Sequence, residues 1–359
     1  FAARSAHHFL LPHMPETLTP LPAEFARQMV DWQRQHGRQS LPWQNTQDPY
    51  RVWLSEIMLQ QTQVSTVLDY FPRFLKRFPD VAALAAAEQD DVLALWSGLG
   101  YYSRARNLHR CAQDVVARFG GAFPAQAQAL QTLPGIGRST AAAIAAFCFQ
   151  ERAAILDGNV KRVLTRVLGY ADDLAVAKNE KQLWNLAQDL LPAEASDMPR
   201  YTQSLMDLGA TVCLPRKVQC ESCPVASLCQ AKGQGTPLAY PVKTRKLKRS
   251  SMTLWLLWAV NAQGQVWLQK RPNTGIWAGL FSLPVFDSED QLLAAWPQGH
   301  EVQYIEPWKH VLTHRDLHLH PVRMLGPGNS APTSEGQWVD AQAWPAMGLP
   351  APIRTLLMT

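Results

Sequence analysis

The chain has 359 residues, more than one compact core of ordinary size, so two domains are expected. Its hydrophobic fraction of 47% is sufficient for two cores, and no stretch approaches the length of a membrane-spanning helix. A net charge of +5 and a pI near 8.9 are compatible with a polyanionic partner, although the position of the basic residues matters more than their sum.

The N-terminal segment carries no recognisable targeting signal. Residues 1–13 precede the first methionine, Met14, and lack the apolar core and the small-residue cleavage site of a signal peptide. We therefore expect residues 1–19 to be a disordered extension and the protein to be cytoplasmic.

Helical patterns begin after this extension. Apolar residues at helical spacing predict a helix over residues 21–36, and a second helix opens at Pro49 and is expected to continue to Val64. Glu56 lies beside the apolar face of this second helix. A glutamate there is most often solvated at the edge of the face, whereas the glutamines at 60, 61 and 63 are either a polar helix face or readers of base edges.

Residues 98–106, GLGYYSRAR, form a glycine turn with two tyrosines and two arginines. Exposed aromatic rings and arginines together can stack on bases and contact phosphates. The alternative is an ordinary helix start with packed tyrosines.

Residues 133–140, LPGIGRST, follow a short predicted helix at 125–132 and precede an alanine-rich helix. Glycine permits positive φ and close backbone approach, so this segment predicts a tight hairpin with exposed N–H groups at a helix start. Such an arrangement binds phosphate, giving a helix-hairpin-helix unit. A plain helix-turn-helix corner is the alternative.

Residues 156–160, LDGNV, introduce another helix. Asp157 suits its N-cap, with a catalytic carboxylate as the second interpretation. Two more helices are expected between residues 178 and 209, so the first domain is nearly all helical.

Four cysteines lie within 17 residues, in the spacing C-x6-C-x2-C-x5-C. They are Cys213, Cys220, Cys223 and Cys229. In a chain without an export signal this cluster predicts a metal site rather than disulfides, either zinc or an iron–sulfur cluster, and the spacing alone does not select between them.

Residues 233–250 are rich in basic residues and predict a linker between a domain at 20–232 and a domain at 251–359. The second domain is α+β. Strands are predicted at 253–260, 265–270, 300–305, 316–324 and 337–339, with a helix near 288–296.

The motifs at 54–64, 98–102, 133–140 and 156–160, together with the cysteine loop 213–229, resemble a MutY-type adenine DNA glycosylase. The resemblance covers roughly residues 20–358. It implies a mainly α helix-hairpin-helix domain, a [4Fe-4S] cluster on the four cysteines, and a smaller α+β Nudix-like lesion-recognition domain. It also implies a monomeric bacterial, nucleoid-associated enzyme with no membrane partner. The expected substrate is double-stranded DNA with adenine mispaired with 8-oxoguanine or guanine.

The resemblance also assigns roles to individual residues. Glu56 matches the family's catalytic acid and Asp157 its second carboxylate, because an oxocarbenium-like sugar needs a nearby negative charge. Supporting active-site residues are Ser139, Asn159 and Trp43. DNA contacts are expected from Gln60, Gln61, Tyr101, Gly135, Ile136, Gly137 and Lys161.

The C-terminal domain lacks the acidic helix of a Nudix hydrolase, so nucleotide hydrolysis is not expected. The family's lesion loop usually reads Phe-Ser-His, whereas this chain has Leu312, Thr313 and His314. The hydroxyl and the imidazole are kept and the aromatic ring is not.

Two other functions fit parts of the sequence. An endonuclease III-like glycosylase/lyase shares the hairpin, the aspartate and the cluster, but carries a nucleophilic lysine where this chain has Ser139. A non-catalytic mismatch-binding protein would not need the two carboxylates.

Overall fold

The computed structural model describes residues 21–244, 248–296, 301–325, 331–333 and 335–359. The extension predicted at residues 1–19 lies outside them. The described residues contain no helix that is long and apolar enough to cross a membrane. They form two compact units: one contains the described residues up to Gln39 together with Ala145–Thr244, and the other contains Ser40–Ile144 and the described residues from 248 onward.

Helices dominate the chain as far as residue 233, which confirms the prediction of a nearly all-helical first domain. They are α1 Leu21–His36, α2 Pro49–Leu59, α3 Val64–Arg77, α4 Val81–Ala85, α5 Gln89–Trp96, α6 Ser103–Phe119, α7 Ala127–Leu130, α8 Arg138–Phe149, α9 Gly158–Leu168, α10 Ala177–Asp189, α11 Met198–Thr211 and α12 Gln230–Gly233.

The predicted helix over residues 49–64 is wrong beyond Leu59. Pro49 occupies the first turn of α2, and the Asp48 side chain accepts a hydrogen bond from the backbone N–H of Tyr50 at 3.0 Å. The helix ends because Gln61 adopts a φ of 55°, which an α-helix does not accommodate. The glutamines at 60, 61 and 63 therefore lie in a turn between α2 and α3 rather than on a helix face.

The alanine-rich sequence of α8 is explained by close packing. Ala141, Ala143, Ala145 and Ala146 are completely buried, so larger side chains have no room there. Ile144, also completely buried, supplies the bulky contact on this helix.

The C-terminal part contains a mixed sheet with two helices. Its elements are β1 Ser250–Val260, β2 Val266–Lys270, β3 Phe281–Ser282, β4 Val285–Phe286, α13 Glu289–Ala294, β5 Glu301–Tyr304, β6 Trp308–Val311, β7 Arg315–Leu325, β8 Gln337–Val339 and α14 Ala351–Leu357. The central strands β1 and β7 run parallel, with Ser250 opposite Arg315 and Val260 opposite Leu325.

The other strands extend this pair on both sides with antiparallel partners. The strand order is β3-β2-β1-β7-β5, with β4 on β1, β6 on β7 and β8 on β2. The predicted strands at 253–260, 265–270, 300–305, 316–324 and 337–339 are all found, with bounds that differ by at most three residues. The short strands β3, β4 and β6 and the helix α14 were not predicted, because runs of two to seven residues carry little periodicity.

A buried ion pair fixes α11 to the segment after α1. Asp207 on α11 is completely buried and accepts hydrogen bonds from the Arg38 backbone N–H at 3.0 Å and from its Nε at 2.7 Å. Gln203 Nε2 donates a third bond at 2.9 Å.

We expect Asp207→Ala to destabilise the protein by about 3–5 kcal/mol, because Arg38 loses its partner at a partly buried position. Urea unfolding followed by circular dichroism measures this change. Asp31→Ala is the matched control: its carboxylate is 45% exposed in its ion pairs with Arg27 and Arg34. The control should stay within roughly 0.5 kcal/mol of the parent protein, and equal losses in both variants would contradict the assignment.

Candidate functional site

Glu56 lies on α2 at the edge of the core. It is half-buried between Ser55, which is 2% exposed, and Ile57, which is 4% exposed, and Trp53 one turn earlier is completely buried. Glu56 thus lies in a helix most of whose residues are buried, and is itself less buried than its chain neighbours. Within the same unit Ser139 lies half-buried in the first turn of α8.

Trp43 precedes α2 and is almost completely buried, at 8% exposure. Its indole ring packs edge-on against Phe71 of α3, with ring centroids 5.5 Å apart. The structure therefore gives Trp43 a packing role.

Asp157 caps α9, as predicted. Its Oδ1 accepts a hydrogen bond from the backbone N–H of Val160 at 2.8 Å, and its own backbone is extended. No donor to its second oxygen, Oδ2, occurs in the described part of the chain. The cap thus fixes the carboxylate through one oxygen and leaves the other available.

Two further predicted residues lie on the first turn of α9. Asn159 is exposed, and its Oδ1 accepts a hydrogen bond from Nη2 of Arg162 at 3.0 Å. Arg162 also donates to the carbonyl oxygens of Gly209 at 2.7 Å and Cys213 at 2.8 Å. Lys161 forms an ion pair with Glu180, with Nζ and Oε1 2.5 Å apart.

The hairpin at 133–137 is a tight turn. The Ile136 N–H donates to the Leu133 carbonyl oxygen at 3.2 Å, Pro134 is the second residue, and Gly135 has a φ of 75°, as a type II turn requires. A Cβ on Gly135 would lie 2.8 Å from the Cβ of Asn107, so both space and φ require glycine. Among the described residues no acceptor pairs with the N–H groups of Gly135 and Gly137, which remain available to a ligand.

Four of the residues predicted to contact DNA, Gln60, Gln61, Tyr101 and Gly135, line one cavity of about 260 Å³. Its lining includes Trp53, Ile57, Gln60, Gln61, Tyr101, Arg104, Asn107, Pro134 and Gly135. Gln60 is tied to the start of α8 because its Nε2 donates to Oγ1 of Thr140 at 3.3 Å. Gln61 is exposed, and Tyr101 is 43% exposed. These residues are therefore brought together by the fold although they are up to 75 positions apart in the chain.

Arg104 is a buried residue. Of the two interpretations of residues 98–106, Arg104 follows the packed helix start: it is 8% exposed and its guanidinium binds protein groups. The acceptors are the carbonyl oxygens of Ile57, Met58, Gln60, Leu99 and Gly100 and the hydroxyl of Thr62, at 2.6–3.3 Å. Arg106 likewise donates to the carbonyl oxygen of Ala278 at 2.7 Å. The sequence offers no signal that distinguishes an arginine that binds carbonyl oxygens of the protein from one that binds a phosphate.

The predicted lesion loop forms the turn of the β6–β7 hairpin. The Leu312 N–H donates to the Arg315 carbonyl oxygen at 2.8 Å, which places Thr313 and His314 at the tip. The Thr313 hydroxyl lies 2.5 Å from the hydroxyl of Tyr101 in the same unit. Leu312 is half-buried and its carbonyl oxygen accepts from Nη2 of Arg249 at 2.8 Å, so it anchors the loop.

The loop that carries Tyr101 also contacts the chain near α14. Oγ of Ser97 and Oη of Tyr102 both donate to the carbonyl oxygen of Leu349, at 3.0 and 3.1 Å. Nη2 of Arg354 on α14 donates to Oγ of Ser97 at 3.1 Å. The Tyr101 loop is thus held by the same part of the chain that carries Thr313.

All four clustered cysteines line one cavity, together with apolar side chains that include Val163, Leu208 and Val225. Burial raises the pKa of the Cys223 thiol to about 12. Burial also raises the pKa of the Cys229 thiol. Arg166 donates to the sulfur of Cys213 at 3.3 Å. In the described ranges no three His, Cys, Asp or Glu side chains are arranged to hold a single metal ion.

The helical part and the sheet-containing part of the chain each match a known protein family. Residues 54–189 match the family model described as HhH-GPD superfamily base excision DNA repair protein, and residues 255–359 match the NUDIX domain. The adenine DNA glycosylase of Buchnera aphidicola subsp. Baizongia pistaciae is 35% identical over 93% of this chain and 95% of that protein. The chain belongs to the adenine DNA glycosylase family.

Other relatives agree with this assignment. The mouse adenine DNA glycosylase is 46% identical over 58% of this chain and 41% of its own length. A thermostable thymine-DNA glycosylase of known structure is 27% identical, with a TM-score of 0.51 over 58% of this chain and 95% of that chain. The helix-hairpin-helix fold and the Nudix-like domain are therefore confirmed for this adenine DNA glycosylase family member.

The cap geometry at α9 predicts how two Asp157 variants differ in stability. Asp157→Ala should destabilise the protein by about 1 kcal/mol because the first turn of α9 loses its acceptor. Asp157→Asn keeps an acceptor at the N-cap, so its loss of stability should be less than half of the loss in Asp157→Ala. Thermal unfolding of the two variants measures the difference, and equal losses would show that capping is not what Asp157 contributes.

Proposed function

We propose that this protein binds double-stranded DNA in which adenine is paired with 8-oxoguanine or guanine, and hydrolyses the N-glycosidic bond of that adenine. The observation that carries the proposal is the match to adenine DNA glycosylases along 93% of the chain, which includes both the helical part and the sheet. DNA is the partner implied by base excision repair, and the particular mispairs are part of the proposal.

The target adenine leaves the helical stack before it reacts. Extrusion costs a few kcal/mol and is cheapest for a mispaired base, which itself favours mispairs. In the proposed complex the side chains of Gln60, Gln61 and Tyr101 enter the duplex at the vacated position. The N–H groups of Gly135 and Gly137, which have no acceptor among the described residues, bind a backbone phosphate in this complex.

Glu56 then acts as the general acid. A general acid must hold its proton until the base leaves, and Glu56 is half-buried in α2. The proton passes to the major-groove edge of adenine, and the electron pair of the sugar–base bond moves to the base as the bond breaks. The products of this step are neutral adenine and an oxocarbenium-like sugar.

Asp157 stabilises that cation and orients the water that captures it. The N-cap bond of Oδ1 to Val160 fixes the carboxylate, and Oδ2 carries the remaining negative charge. Addition of water and loss of a proton give an abasic sugar in an uncut strand. Asn159 and Ser139 are proposed as supporting polar groups for this water and for Asp157.

The chemistry favours a glycosylase without lyase activity. Ser139 occupies the place of the lysine nucleophile of endonuclease III-like enzymes, and a hydroxyl cannot form a Schiff base. Lys161, the nearest lysine to Asp157 in the sequence, forms an ion pair with Glu180.

We further propose that the turn at Leu312, Thr313 and His314 reads the base opposite adenine. Support comes from the hydrogen bond between Thr313 and Tyr101, which brings the turn next to a residue proposed to enter the duplex. Leu312 replaces the usual aromatic residue by anchoring the turn through its half-buried side chain and its bond to Arg249.

We also propose that the four clustered cysteines bind a [4Fe-4S] cluster. A closed set of four thiols around one apolar cavity fits such a cluster, whose irons are held by cysteine thiolates. When bound, the iron ions would stabilise the thiolate form that burial alone disfavours. When bound to the four cysteines, the cluster would hold the loop 213–229 against α9 and α11, whose side chains line the same cavity.

The direct test is to incubate the full-length protein with a duplex that contains one adenine opposite 8-oxoguanine. We expect free adenine, and a strand that breaks only after alkali treatment. Binding without adenine release would instead support the non-catalytic mismatch-binding protein. Strand cleavage without alkali, with an adduct trapped by borohydride, would support the endonuclease III-like alternative.

Glu56→Gln should retain mispair binding, and its rate of adenine excision should fall by roughly 100- to 10,000-fold. The reason is that the amide keeps the shape of the side chain but has no transferable proton. Single-turnover excision and gel-shift affinity measure the two effects separately. Glu88→Gln, at an exposed glutamate directly before α5, controls for the loss of one carboxylate charge. Excision by Glu56→Gln at the parent rate would rule out Glu56 as the acid.

Thr313→Val should lower the preference for 8-oxoguanine over guanine by up to about tenfold, the worth of one hydrogen bond. Thr313→Ser, which keeps the hydroxyl, should preserve it. The ratio of single-turnover excision rates on the two duplexes is the measurement. An unchanged ratio in Thr313→Val would place lesion reading elsewhere in the chain.

The purified protein should be brown and contain about four iron atoms per chain and no stoichiometric zinc. Cys213→Ser should lose iron, whereas Cys111→Ala should keep it, because Cys111 is completely buried within α6. Iron and zinc analysis with the visible absorption spectrum measures this. A colourless protein with one zinc and full activity would contradict the cluster.

A further inference from the structure

Gln61 and Tyr101 share an unusual backbone conformation. Their φ angles are 55° and 47°, in the left-handed region that non-glycine residues seldom occupy. Such conformations cost of order 1–3 kcal/mol and persist where surrounding interactions enforce them. Both residues are also proposed above to enter the DNA duplex.

The same side chain enforces both conformations. Nη1 of Arg104 donates to the carbonyl oxygen of Gln60 at 2.6 Å, which belongs to the peptide group directly before Gln61. Nη2 of Arg104 donates to the carbonyl oxygen of Gly100 at 3.3 Å, in the peptide group directly before Tyr101. One planar guanidinium therefore orients the peptide group preceding each strained residue.

Additional contacts fix the guanidinium itself. Nη1 also donates to the carbonyl oxygens of Ile57 and Met58, both at 2.9 Å, which the last turn of α2 leaves without helical partners. The guanidinium carbon lies 5.2 Å from the ring centre of Trp96 and 5.5 Å from that of Tyr101. Burial lowers the pKa of Arg104 to about 10, which still leaves the side chain charged at neutral pH.

We propose that Arg104 is a positioning residue that holds the Gln60–Gln61 turn and the Tyr101 loop in one fixed geometry, so that both enter the duplex together when the base is extruded. This inference rests on the DNA-entering roles proposed above for Gln60, Gln61 and Tyr101. Arg104 itself contacts neither the base nor the sugar. Lysine cannot replace it, because one ammonium group cannot span acceptors on both segments.

The test compares two duplexes at saturating enzyme. In the first, adenine faces 8-oxoguanine; in the second, it faces an abasic-site analogue, so that extrusion requires less distortion. Arg104→Lys should slow single-turnover excision roughly 10- to 100-fold on the first duplex, and distinctly less on the second. The matched control is Arg110→Lys, an exposed arginine on the same helix, which should leave both rates unchanged.

Equal losses of excision rate on the two duplexes would indicate a general defect and overturn the proposal, as would no loss on either.

A 2-aminopurine next to the adenine gives a readout that does not depend on excision, because its fluorescence rises when the stack opens. Arg104→Lys should reduce that rise at saturation, and an unchanged rise would overturn the proposal. If the parent protein opens the stack but releases no adenine, the proposed function fails while this inference is still tested.

A second variant covers the case in which Arg104→Lys does not fold. Thr62→Val removes one acceptor of Arg104, the hydroxyl 3.0 Å from Nη2, with little change in shape. It should lower excision on the mispaired duplex by a smaller factor in the same direction, with little effect on the duplex with an unpaired adenine. Parent rates on both duplexes for Thr62→Val would count against the proposal.

Discussion

The backbone groups left unpaired at helix ends are the constraint on which this molecule depends. A helix end cannot satisfy its last N–H or C=O groups internally, so each must find a partner. At the start of α9 the partner is the Asp157 carboxylate, and at the end of α2 it is the Arg104 guanidinium. At the start of α8 the hairpin N–H groups keep their capacity for a ligand. The proposed catalytic and DNA-contacting groups are therefore located where the fold must place polar groups in any case.

This placement has a mechanistic benefit. A carboxylate that caps a helix is fixed in direction by a bond it would make regardless of substrate, so little reorganisation is needed during the reaction. The same holds for Gln61 and Tyr101, whose strained backbones are next to peptide groups that Arg104 binds. In both cases interactions that form when the chain folds fix the geometry of a group with a proposed role in binding or catalysis.

Sequence analysis predicted the helical part, the hairpin, the cap at Asp157 and most strands, because each has a local signal: periodicity, glycine at positive φ, or a capping residue. It did not predict the end of α2 at Leu59, since Gln61 in the left-handed region has no compositional signal. The sequence left the role of Arg104 open for a related reason: its six acceptors come from segments up to 47 residues away, and only the folded chain brings them together. The contact of Tyr101 with Thr313 spans 212 positions and was equally invisible.

The Tyr101–Thr313 hydrogen bond joins two groups of the protein itself. Under the role proposed for Thr313, its hydroxyl must leave or share this bond when it meets the opposite base. Recognition at that hydroxyl is then an exchange of partners and not the gain of a new interaction, so it adds little to overall affinity. A base that offers a poorer partner than the Tyr101 hydroxyl would leave the original bond in place. The Tyr101 hydroxyl therefore competes with each opposite base for the Thr313 hydroxyl.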